Sequence, residues 1–120
     1  MKNENVIQLK SYALALRVIK AYQYLSVDKK EFILSKQLLR SGTSIGANVE
    51  EALGGLSERD FLFKLTIAHK ESRETIYWLR LLKDTDYLSY EQAASLLKDS
   101  SEVRAILASI IKTTREKLER

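Results

Sequence analysis

Cysteine and proline are both missing from this chain of 120 residues; glycine occurs four times, and tryptophan and histidine once each. Without a thiol there can be no disulfide framework, no thiolate zinc or iron–sulfur site and no cysteine nucleophile. A single imidazole, His69, excludes multi-histidine metal centres and leaves general-base chemistry only to a histidine acting alone. No apolar run reaches the roughly 20 residues of a bilayer-spanning helix, because the most apolar stretch, Tyr12 to Leu25, is interrupted by Arg17, Lys20 and Gln23. Met1 to Lys10 carries Lys2, Glu4 and Lys10 and no apolar segment of secretory length, so a cytoplasmic location is the expectation. Phosphate-binding glycine loops, nucleophile elbows and metal-ligand spacings do not occur. Neither an enzymatic activity, nor a cofactor, nor a small-molecule substrate is expected.

What is present is a mixture of 45% hydrophobic and 30% charged residues with a formal net charge of +4, the profile of one ordinary domain over residues 1–120. A chain of this length buries roughly two thirds of its unfolded surface and needs no covalent staple. With no proline to mark helix ends, stops and starts must be read from glycine and capping residues. Four segments with apolar spacings of three and four follow. The first runs from about Val6 to Ser26, with Asn5 and Gln8 as a capping pair. The second starts after Asp28, paired with Glu31, and ends at Gly54-Gly55. The third follows Ser57, with Asp60 as its partner, and runs through Phe61, Leu65, Ala68, Ser72, Ile76 and Leu79 to about Asp84. The fourth follows Ser89, with Gln92, and continues through Val103, Leu107, Ile110 and Leu118. Short links between helices of roughly 20 to 27 residues force antiparallel neighbours. The predicted fold is all-α, an up-down-up-down four-helix bundle.

In the first segment Val6, Ile7, Leu9, Tyr12, Ala13, Leu14, Ala15, Leu16, Val18, Ile19, Ala21, Tyr22, Tyr24 and Leu25 cover well over half the circumference, more than one buried face requires, and the third adds Phe63, Ile67, Tyr77, Trp78 and Leu81 to its core stripe. This surplus points either to a second copy of the chain or to tyrosines lying at the rim with their hydroxyls in water.

The second segment is the most informative. Leu34, Leu38, Ser41, Ile45, Val49, Ala52 and Leu56 hold a helical period across Gly42 and Gly46, each of which costs on the order of 1 kcal/mol in a helix interior. Either the helix breaks at Ser41 to Ser44, or it continues and the small residues Gly42, Gly46 and Ala47 admit a neighbouring backbone. Arg40, Ser44, Asn48 and Glu51 follow at steps of four, four and three and line one face. Beside an apolar stripe they must be hydrogen-bonded, and Glu71 and Glu74 of the third segment are the facing carboxylates, so the six are expected to form a structural polar network. A two-metal site would require Glu-x-x-His, and His69 follows Thr66 instead.

At these residues the sequence resembles the bacterial four-helix-bundle family of proteins encoded in intervening sequences of 23S ribosomal RNA genes, also called ribosomal-protein-like. The likeness rests on Arg40, Ser44-Ile45, Asn48 and Glu51, and on Phe61, Ile67-Ala68 and Glu74 of the third segment. The chain departs from it at Ala52, where glycine is frequent, and at Lys70-Glu71, where Gly-Ser is frequent. The resemblance implies a bundle assembling into a homo-oligomeric ring, a pentamer, with no established enzymatic activity. A more distant likeness to the accessory variability determinant of diversity-generating retroelements implies a possible RNA or reverse-transcribing partner; that likeness is one of fold and assembly alone.

Charge along the chain bears on the RNA question. Residues 1–40 hold eight Lys and Arg against three acids. Lys10, Arg17 and Lys20 share one side of the first segment, and Lys29, Lys36 and Arg40 nearly line up on the second. In a ring these stripes would form a basic belt able to bind RNA phosphates; in a single subunit at +4 they read rather as a solvated outer face. His69 reads as a partly exposed helix residue and Trp78 as a packing anchor.

Overall fold

The computed structural model describes residues 3–120, with side chains from Val6 onward. Four helices account for almost all of it: α1 (Asn3–Val27), α2 (Leu34–Leu53), α3 (Glu58–Asp84) and α4 (Tyr90–Leu118). α1 already includes Asn5, so the expected Asn5–Gln8 start is not the start of the helix; the Asn5 side chain lies outside the described residues. Two starts are as expected and have a local cause. Ser57 accepts the Asp60 N–H at α3, and at α4 Ser89 and Gln92 form a reciprocal capping box, each side chain bonding the other's backbone N–H.

The start of α2 is different. Asp28 closes the last turn of α1, its N–H donating to the Tyr24 carbonyl, and the chain then turns through Lys30 in the left-handed region at φ 55°. The cap of α2 is the Glu31 side chain, whose carboxylate accepts the N–H groups of Ile33 at 3.1 Å, Leu34 at 3.0 Å and Ser35 at 2.7 Å. A helix N-terminus has four orphan N–H groups, and one carboxylate takes up three of them here. Burial raises the Glu31 pKa, but these donors together with the Ser35 hydroxyl outweigh that and hold it below its ordinary value.

Each helix packs on the two beside it, α1 on α2 and α4, α2 on α3, α3 on α4, while the diagonal pairs do not approach. This is a four-helix bundle, about 50 × 23 × 21 Å, without strands among the described residues. The core is the interior stripe of every helix, including Leu14 and Val18, Leu38 and Ile45, Leu65 and Leu79, Val103 and Leu107. Burying each such side chain is worth about 1.5–3 kcal/mol. Leu56, placed in the core period by its spacing, lies beyond the end of α2 and is 96% exposed.

α2 is continuous through both internal glycines. A Cβ on Gly42 would sit 2.7 Å from both Val18 methyl groups, and one on Gly46 would sit 3.4 Å from the Ser11 carbonyl oxygen. The glycines therefore let α1 lie close against α2. Ala47, expected to share this role, is exposed and takes no part in it.

Candidate functional site

The six residues of the expected polar network separate into three groups. Arg40 of α2 reaches across to α3, donating to Glu71 at 3.1 Å and Glu74 at 2.5 Å. Glu71 is buried and Glu74 half-buried, so the guanidinium satisfies two carboxylates that burial would otherwise penalise. The hydrogen bond from Arg40 holds the Glu74 carboxyl below its ordinary value, and the same bond raises the Arg40 pKa. A cation thus lies between the two carboxylates. The Trp78 indole N–H is buried with no acceptor in hydrogen-bond geometry; it approaches Glu74 only closely enough to favour its charged form slightly.

Ser44 and Asn48 form the second group, entirely within α2: the Asn48 amide donates to the Ser44 carbonyl at 2.9 Å and to its hydroxyl at 3.1 Å. Glu51 is separate again, exposed and paired with Lys64 at 3.0 Å. A continuous helix carries residues 40 to 51 through roughly 16 Å of rise, so one facing pair of carboxylates cannot serve the whole stripe. The buried polar link that spacing did not single out joins the same two helices, the Thr75 hydroxyl donating to that of Ser41 at 3.0 Å.

The basic residues of the first two helices also divide. Lys10 pairs with Glu102 at 2.9 Å, and Arg17 with Asp99 at 2.6 Å while also donating to the Ser95 hydroxyl, so both hold the α1–α4 seam. Lys20, Lys29 and Lys36 are exposed, and no ion pair to them occurs among the described residues. The sequence count of eight cations in residues 1–40 therefore overstates the charge this part presents, since Lys10, Arg17 and Arg40 are answered by acids.

A denser positive surface lies between α3 and α4. Lys70, Arg73 and Arg80 project from α3 at helical spacing into a groove of about 640 Å³, with Tyr77 between them, and Arg104 enters from α4. None of these four cations forms an ion pair among the described residues. His69 lines the same groove and is half-buried; burial lowers its pKa, and the charges of Arg104, Arg73 and Arg115 lower it further. The α3 half of this cluster is visible as spacing in the sequence, but its α4 half is not.

Residues 3–109 match the sequence profile of the 23S rRNA-intervening sequence proteins. The chain belongs to that family. No curated protein matches it. Among solved structures it is similar to a protein of unknown function from the S23 ribosomal protein family of Bacteroides thetaiotaomicron, with 50% identity over 92% of this chain and 99% of that one and a TM-score of 0.91. The resemblance drawn from the second and third helices is thereby borne out. Family membership gives the Arg40 cross-link a setting, a four-helix fold shared at high identity, and assigns no reaction to it.

No helix among the described residues is long and apolar enough to cross a membrane.

Proposed function

We propose that this family member is a non-enzymatic, homo-oligomeric RNA-associated accessory protein, its bundles arranged in a ring of five. The observation that carries the assembly is the outer face of α1. Leu9, Tyr12, Leu16 and Ile19, at steps of three and four, point away from the core, with Leu9 and Tyr12 62% and 63% exposed. An apolar stripe of this length on the face opposite the buried one needs a partner, and a second copy supplies it. A stripe on one helix meeting a different face of the next copy is a heterologous contact, which closes into a ring when the rotation permits. RNA association is supported by the family's link to ribosomal RNA genes and by cations without acidic partners on the outer faces, Lys20, Lys29 and Lys36 among them. A ring multiplies such charges around its circumference.

A second reading, a scaffolding oligomer without a nucleic-acid partner, is favoured by the pairing of Lys10 and Arg17 with α4 acids, which removes two members of the expected belt. Fluorescence anisotropy with a structured RNA across a salt series decides between them. The accessory reading requires binding that weakens steeply as salt rises; absence of binding at low salt leaves the scaffold.

A further inference from the structure

The groove between α3 and α4 is a place where like charges have been gathered against their own repulsion. Lys70, Arg73, Arg80 and Arg104 converge on it, and its one acidic lining residue, Glu74, is already engaged by Arg40. Elsewhere Lys10, Arg17, Arg40, Lys64 and Lys117 reach carboxylates and exposed cations such as Lys20, Lys29 and Lys36 do not; the groove differs in that four cations without ion pairs among the described residues line one site. The groove cations are thus left with an unmet electrostatic demand, and an anionic ligand would satisfy it. An aromatic ring completes the set. Tyr77 is half-exposed on the groove side of α3, its ring held edge-on to Trp78 with centroids 5.2 Å apart, so it offers a supported π-face among the positive charges.

We infer that this groove binds single-stranded RNA, with phosphates on Lys70, Arg73, Arg80 and Arg104 and an unpaired base stacked on Tyr77. Cations that follow a backbone, with an aromatic platform between them, are the general arrangement for single strands. An acidic protein surface would satisfy the charges but give Tyr77 no stacking partner, and duplex RNA keeps its bases inside the helix. The inference rests on the RNA-associated reading and moves its site from Lys20, Lys29 and Lys36 to the groove lined by α3 and Arg104 of α4.

His69 gives the groove a built-in reporter, because it is the chain's one histidine. Lys70 and Arg73 flank it on α3; α4 faces it with Arg104 and Arg115 and, farther along the seam, Lys112, Glu116 and Glu119. Bound phosphate offsets the repulsion of those arginines, so the imidazole pKa rises in the complex.

The test uses the full chain, with anisotropy on an unstructured oligouridylate, a hairpin duplex and an oligodeoxythymidylate of matched length, and NMR of the His69 ring. Four phosphate contacts give a slope of log affinity against log salt of about −2.8 for a single strand, and the R73Q/R104Q double variant flattens it by about 1.4. Tyr77→Ala weakens oligouridylate about 5- to 150-fold, the loss of one stacked base. R59Q/K98Q, two exposed cations outside the groove, leaves affinity for oligouridylate within twofold. Oligouridylate shifts the His69 resonances and raises the imidazole pKa. Wild-type binding that the groove variants do not weaken, or a His69 signal unmoved at saturation, overturns the groove assignment while the RNA-associated reading stands; the His69 arm needs no variant to fold. Preference for the duplex or the deoxy strand overturns the single-stranded RNA assignment. Failure of every RNA to bind wild type at low salt overturns the RNA-associated reading itself.

Discussion

At the scale of single residues, the two glycines inside α2 have the same sequence signature but different surroundings. Alanine is worth on the order of 1 kcal/mol over glycine in a helix interior, so both positions carry a local cost. At Gly42 the added methyl would meet both Val18 methyls at 2.7 Å, and Val18 is fully buried and β-branched, with little freedom to turn aside. At Gly46 the nearest atom is 3.4 Å away, an ordinary contact. Gly42→Ala is therefore expected to lose about 1–3 kcal/mol of stability to overpacking. Gly46→Ala should be neutral or gain up to about 1 kcal/mol. Urea denaturation checks both, and pairing Gly42→Ala with Val18→Ala should recover part of the loss if the clash is its cause. Equal effects at the two glycines would refute the close-contact explanation. Periodicity reveals that something must offset the glycines, but not which one faces a rigid neighbour, since that depends on the rotation of α1.

At the scale of elements, what the sequence makes legible is whatever is settled within one helix turn. Ser57 with Asp60 and Ser89 with Gln92 are read correctly because donor and acceptor lie three residues apart on the same chain segment. Leu56 fails because period alone does not say where a helix ends, and Glu51 fails because its partner, Lys64, belongs to another helix. The α2 start is an intermediate case: Glu31 is singled out by spacing, but as the return partner of Asp28, whereas its own carboxylate is the cap. That assignment has a consequence for acid stability. The folded Glu31 pKa lies below the ordinary 4.5, so its contribution is fully present above that pH and is lost as pH falls through the folded value. Glu74, held low chiefly by Arg40, acts in the same direction. Glu31→Ala should cost about 1–2 kcal/mol near neutral pH, the usual range for a lost cap. Its stability should also depend less steeply on pH below about 4.5 than that of wild type. Denaturation midpoints measured across that range would contradict the assignment if the variant and wild type stayed parallel.

At the scale of the whole molecule, the bundle separates an apolar outer face on α1 from a cationic groove between α3 and α4. Since α1 and α3 occupy a diagonal of the bundle, a copy seated on the α1 stripe need not cover the α3 side of the groove. The fold accommodates both surfaces because its cross-links run between neighbouring helices: Arg40 with Glu71 and Glu74 joins α2 to α3, and Lys10 and Arg17 with Glu102 and Asp99 join α1 to α4. These ion pairs are at least partly exposed, so each adds little stability, about 0–1 kcal/mol, and their effect is to fix which faces remain outward. The proposed assembly can then be attacked without touching the core. Leu9 and Leu16 lie two turns apart on α1, 62% and 49% exposed, and contribute nothing to the buried interior of a single bundle. Replacing both with glutamate places charge on the stripe while keeping good helix formers in α1. Light scattering should show the double variant as a monomer at concentrations where wild type is a multimer. Helical circular dichroism should be unchanged, and each buried leucine lost from the interface should weaken association by about 1.5–3 kcal/mol, or roughly 10- to 150-fold per site. A monomeric wild type at micromolar concentration, or a variant that remains assembled, would show that the α1 stripe is merely exposed.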